Sequence, residues 1–173
     1  MDKNHALAVV TAGLVISLAS LNAHSAGAEA GKSAGSSKAS GSKPIERGRY
    51  MVQTGHCNNC HTAAYTRKEG NVPEQDRLLG NPQGFRGPWG TTYASNLRLT
   101  VQSFTADQWA KYARAVKPRP PMPWWSLRDT TEQDLRAMHQ YIKHLGAAGA
   151  PAKAFVPSDK EPDPPYELRR LVQ

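Results

Sequence analysis

Large apolar side chains are scarce in this chain. Hydrophobic residues make up 39% of its 173 positions and aromatic ones 8%, set among 14 glycines and 13 prolines. Such a length holds one modest domain plus tails, and a core with so few large side chains needs a staple or a bound group. Also missing are an alternating strand pattern, an internal repeat and any nucleic-acid motif. The 22 lysines and arginines are scattered, so a nucleic-acid-binding role finds no support. The net formal charge of +8 serves solubility, or steering toward an acidic partner. Apart from Ala6–Leu21 there is no long apolar run, and its sixteen residues as a helix would span only about 24 Å of a roughly 30 Å hydrocarbon core.

That run has the make-up of an export signal. Lys3 opens it, and "AGA" at Ala26–Ala28 fits a small-residue cleavage site. Residues 1–28 are therefore expected to be removed, delivering the rest to an oxidising compartment, the bacterial periplasm, without stable membrane insertion. The alternative is an uncleaved anchor. No cysteine follows the run, which argues against a lipoprotein.

Residues 29–44, EAGKSAGSSKASGSKP, have the composition of a flexible tether. Apolar residues return at Ile45, where the expected domain, 45–146, begins. "IERGRYMVQTG" predicts a short helix ending near Gly55. Gly48 inside it costs about 1 kcal/mol relative to alanine, a cost that fits close approach of another helix. From Tyr65 to Val101 the chain is irregular, a loop long enough to wrap something. "TADQWAKYARAVK" predicts a helix with Thr105 and Gln108 in capping-box spacing and Trp109, Tyr112, Ala113 and Val116 on one face. "TEQDLRAMHQYIKHLG" predicts another, with Leu135, Met138, Ile142 and Leu145 in a stripe and Gly146 at its stop. Between them, four prolines from Pro118 to Pro123 forbid a helix. Residues 147–173 are Pro-rich and charged, and read as an extended tail. The fold class is mostly α, a small helical domain with long loops.

The two cysteines lie within four residues, in TGHCNNCHTA, with His61 directly after Cys60. C-x-x-C-H is the attachment signature of c-type haem. Residues three apart share a helix face, so Cys57 and Cys60 can form thioethers with the two porphyrin vinyl groups while His61 offers its imidazole to the iron. Asn58 and Asn59 are expected to point outward. Three other uses of the thiols compete. A dithiol redox pair wants a βαβ context, which is missing; a zinc site would crowd His56, Cys57, Cys60 and His61 into six residues; a plain disulfide is the third.

A second axial ligand is sought among the methionines, since His/Met ligation makes an electron carrier of raised potential. Met51 is too near Cys57 in sequence to reach the opposite haem face, and Met138 sits on an apolar stripe, where a core role is ordinary. Met122 is fixed between Pro121 and Pro123, 61 residues after His61, in a segment whose prolines reduce the entropy lost on ligation. Its competing role is a hydrophobic plug beside Trp124 and Trp125. His56, His139 and His144 offer a bis-histidine alternative, each read instead as a surface or helix-end residue.

RGRYMVQTGHCNNCHT (Arg47–Thr62), GPWGTTYASNL (Gly87–Leu97) and PPMPWWSLRDTTEQDLRAMHQYIKHLG (Pro120–Gly146) together resemble the class I monohaem cytochrome c fold, over roughly Ile45 to Gly146. The likeness is nearest to haem domains of dehydrogenase-linked bacterial cytochrome c subunits, which commonly carry three haem motifs where this chain has one. The resemblance implies one covalent haem c wrapped by the loops, with Met122 as distal ligand. It implies that the first helix crosses the last, Gly48 and Tyr50 meeting Tyr141. It also implies a loop carbonyl, nearest the Gly87–Pro88 region, accepting the other N–H of His61, with Trp89, Tyr93 or Asn96 as partners of the propionates.

The leading expectation is thus a periplasmic carrier passing single electrons from a dehydrogenase to a terminal acceptor, not an enzyme. Lys111, Arg114, Lys117 and Arg119 lead into the Met122 loop, as either a solvated face or a docking rim. Two rivals remain. One is a haem subunit held permanently in a dehydrogenase complex; the other is a haem sensor or enzyme with an open sixth position.

Overall fold

The computed structural model describes residues 39–170. The expected export signal and most of the expected tether lie outside the described residues. Six helices are described: α1 (Ala39–Thr54), α2 (Cys57–His61), α3 (Leu97–Gln102), α4 (Ala106–Ala115), α5 (Trp124–Arg128) and α6 (Glu132–Leu145). Three short strands join them: β1 (Gly84–Gly87), β2 (Gly90–Tyr93) and β3 (Tyr166–Leu168). No described helix is long and apolar enough to cross a membrane. Helix α1 begins within the segment read as tether, taking in Pro44.

Helices α1 and α6 cross, and two charged clamps hold the crossing. Arg47 reaches Asp134 through two parallel bonds of 2.7 and 3.1 Å, and Arg49 and the Tyr141 hydroxyl both donate to Glu74, at 2.7 and 2.8 Å. The expected Gly48–Tyr141 approach is present, because a Cβ on Gly48 would stand 2.7 Å from that of Tyr141. Tyr50 does not take part. It is 55% exposed, beneath Arg47. The core lies between these helices and α4, and contains Val52, Leu78, Val101, Trp109, Leu135 and Ile142.

The helix ends follow their chemistry. Thr105 accepts from Gln108 N at 3.2 Å while the Gln108 side chain accepts from Thr105 N at 2.9 Å, the reciprocal cap that the spacing predicts. Thr131 caps α6, and Gly146, at φ +75°, ends it. Trp109 and Ala113 are buried as expected, whereas Tyr112 lies at the rim, stacked 4.7 Å from Phe104.

The small sheet was not expected from the sequence. Its order is β2-β1-β3, with β1 antiparallel to β2 and parallel to β3. Its strands are too short and glycine-rich to show alternation, and the third arrives from the far end of the chain. The segment after α6 packs on the domain. Val156 and Thr91 exchange backbone bonds of 2.7 and 3.0 Å, and Pro165 O accepts from Gly84 N at 2.9 Å.

Candidate haem site

α2 is a single turn carrying both cysteines and His61. His56 precedes it in the left-handed region at φ 57°, exposed to solvent, and turns the chain sharply out of α1. Cys57 and Cys60 are unpaired and partly accessible. Burial pushes the Cys57 thiol up to about 11, and burial raises that of Cys60 too. Such thiols stay protonated near neutrality, the opposite of a reactive dithiol, which needs a depressed value. Among the described residues no group of three or more His, Cys, Asp or Glu side chains could hold a metal ion.

Of the two intervening asparagines only Asn59 points outward. Asn58 is 2% exposed. Its Oδ1 accepts from the Thr62 hydroxyl at 2.8 Å, and Thr62 Oγ1 in turn accepts from Leu78 N at 2.8 Å. His61 O accepts from Gly80 N at 2.9 Å. The attachment turn is therefore bolted to the loop beneath it, so Asn58 positions the motif rather than merely spacing it.

His61 is buried, and its Nδ1 lies 2.8 Å from Ser95 O. A carbonyl only accepts, so Nδ1 carries the proton and Nε2 keeps a free lone pair, the tautomer an iron ligand needs. The acceptor expected near Gly87–Pro88 is thus replaced by Ser95, because residues 94–96 run beside the loop that holds His61, Asn81 N donating to Ala94 O and Gly80 N to His61 O. Burial pushes the imidazole below its usual value, against the opposing pull of Ser95 O, which keeps it neutral.

The hairpin turn between β1 and β2 is tightly packed. The Trp89 ring lies on Gly87, where a Cβ would stand 2.4 Å from the ring, and Trp89 Nε1 is buried without a partner. Of the three candidates for the propionates, Trp89 therefore holds a spare donor. Asn96 has committed its amide to Ala148 O and Ala150 O, and Tyr93 is buried beneath Lys153.

The methionines separate cleanly. Met138 is buried in the core and Met51 packs against it. Met122 belongs to neither group. It is half-buried in the proline loop, where Met122 O accepts from Trp124 N at 2.9 Å and Lys117 and Arg128 flank the Trp124 ring. His144 is exposed as expected, but His139 is not. It is 6% exposed, its Nε2 donating to Phe104 O at 2.9 Å. That bond ties it to the α3–α4 turn, so it is a structural residue of the core.

The arrangement suits a covalent haem: two unpaired thiols on one turn, a neutral imidazole with Nε2 free, and a methionine outside the core. Sequence reasoning missed Ser95 and Asn58, and it missed Arg98. Buried, Arg98 donates to Gly146 O and Gln75 O at 2.6 Å each and also to Leu145 O. An arginine in an otherwise apolar helix turn was the available signal.

The cytochrome c family profile matches residues 45–146. One curated relative, the gluconate 2-dehydrogenase cytochrome c subunit of Pantoea cypripedii, is 28% identical over 135 residues, covering 67% of this chain and 29% of the relative. The chain therefore spans under a third of that relative's length. No solved structure matches it. The profile covers more than half of the chain, across the attachment turn and both crossing helices, and on that ground the chain belongs to the cytochrome c family, whose covalently bound haem c the Cys57/Cys60 pair suits.

Proposed function

We propose that this cytochrome c is a periplasmic electron carrier, with Cys57 and Cys60 as the thioether anchors and His61 and Met122 as the axial ligands. The observation that carries the reading is the His61–Ser95 bond of 2.8 Å, which presents Nε2 from the same turn as two unpaired thiols. A haem bound here supplies a one-electron iron couple. The protein's own work is to hold ligands and exclude water. His61 is buried and oriented by a backbone acceptor, so it does not need to reorient as charge changes. Met122 is carried by a loop whose prolines leave it little freedom to lose on ligation. The export expectation for residues 1–28 supports the periplasmic site, since haem c carriers of this family work outside the cytoplasm.

The relative's name supports a dehydrogenase as the electron donor, with a downstream acceptor taking the electron. It equally favours a second reading, in which the chain is a resident subunit of such a complex. Mild extraction distinguishes the two: co-purification with a dehydrogenase favours the subunit, free solubility at high dilution the carrier.

Intact mass of the exported protein tests attachment, with one added haem expected and none fatal to the reading. Met122→Ala tests the sixth ligand. It is expected to abolish the thioether-to-iron charge-transfer band of the ferric protein and let carbon monoxide bind the ferrous form. Rapid carbon monoxide binding by the unsubstituted protein would favour a sensor with an open position instead.

A further inference from the structure

The family match stops at residue 146, yet the backbone just beyond it is bound to the loop that carries the His61 acceptor. Asn96 directly follows Ser95. Its Oδ1 accepts from Leu99 N at 3.1 Å and caps α3, while its Nδ2 donates to Ala148 O at 2.8 Å and Ala150 O at 3.1 Å. Asn96 is buried, and both amide protons are used inside the protein. Gly149 sits between the two acceptors at φ +75°, and a Cβ there would stand 3.0 Å from Asn96 Nδ2. The turn needs glycine for both its backbone and its closeness.

Other bonds hold the two sides of this clamp. Arg98 fixes the end of α6 through Leu145 O and Gly146 O. On the other side of Ser95, Ala94 O accepts from Asn81 N at 3.3 Å, in the loop whose Gly80 N is bound to His61 O. Ser95 thus lies between two tethered neighbours and has its own carbonyl directed at His61.

We propose that Asn96 is a positioning residue for the haem: by clamping Ala148 O and Ala150 O it fixes the Ser95 carbonyl against His61 Nδ1. The segment after α6 thereby sets the basicity of the proximal imidazole and the reduction potential. The proposal rests on His61 being the iron ligand. A peptide carbonyl has no side chain to aim it, so its direction depends on how firmly its neighbours are held. A well-aimed acceptor draws the Nδ1 proton and makes the imidazole a stronger donor, which favours ferric iron and lowers the potential. A loosened one does the reverse.

Two substitutions in the haem-loaded full chain test this. Asn96→Ser keeps a neutral oxygen able to cap Leu99 N but removes both amide donors. Gly149→Ala leaves Asn96 intact and displaces its acceptors. Both are expected to raise the midpoint potential and to speed exchange of the His61 Nδ1 proton about tenfold, the equivalent of one lost hydrogen bond. A merely structural clamp would lower thermal stability and move neither quantity, and that result in both variants overturns the proposal. If Asn96→Ser fails to yield a folded haem protein, Gly149→Ala decides alone. Absence of haem from the unsubstituted protein would instead refute the haem reading itself, and intact mass reports that separately.

Discussion

A Cβ placed on Gly48 would stand 2.0 Å from the Ala137 carbonyl oxygen, so α1 and α6 touch backbone to backbone. Neither atom can swing away, since one belongs to a helical carbonyl already in its ladder. Gly48→Ala should therefore force the helices apart, although alanine is the better helix former. The expected cost is about 3 kcal/mol or more, read by denaturant unfolding of the haem protein. A neutral or stabilising effect would show that the crossing is looser than this geometry.

Arg98 supports the same architecture from the other end. Its guanidinium satisfies carbonyls at the C-terminus of α6, where the helix dipole favours a cation, and one in the loop at Gln75. Arg98→Met keeps much of the volume and removes every donor. About 3 kcal/mol of stability should be lost, with Arg98→Lys recovering only part, because an ammonium lacks the planar fork. Equal stability of the lysine variant and the parent would refute that account.

The attachment turn, both amphipathic helices and their caps were legible because each depends on near neighbours in sequence: Cys57 to His61, Thr105 to Gln108, Leu135 to Ile142. The acceptor of the His61 proton was not, since Ser95 contributes a backbone carbonyl that any residue type possesses. Asn58 and His139 looked like surface residues because polar side chains usually are; their burial depends on distant partners that only folding brings close, Leu78 N bound to the Thr62 hydroxyl that holds Asn58, and Phe104 O for His139. The sheet escaped for a similar reason. Its third strand pairs Gly84 with Tyr166, and no local pattern encodes such a partner.

Tyr141 gives the fold an alkaline weakness. Burial first, then its hydrogen bond to Glu74, pushes the phenol up to about 12, against 10.0 for an unperturbed tyrosine. The unfolded chain thus releases this proton before the folded one. The contribution to stability is complete below pH 10.0 and drains away as pH rises toward about 12. Tyr141→Phe should cost about 1 kcal/mol at neutral pH and flatten the loss of stability across that window. An unchanged alkaline limb in the phenylalanine variant would place the titration elsewhere.

Lys111 and Arg114 project from the exposed face of α4, and Lys117 and Arg119 continue the positive charge toward the Met122 loop, Lys117 over Trp124 and Arg119 4.0 Å from the Phe155 ring. If the rim guides an acidic redox partner, its pull acts over the screening length, about 8 Å at physiological ionic strength. Reduction by such a protein partner should then slow roughly tenfold from low to high salt. Lys111→Gln combined with Arg114→Gln should weaken that dependence, while reduction by a small neutral reagent stays at the parental rate, because these two side chains lie outside the proposed ligand set. A salt-independent rate with the protein partner, alongside normal reduction by the reagent, would make the rim an ordinary solvated helix face.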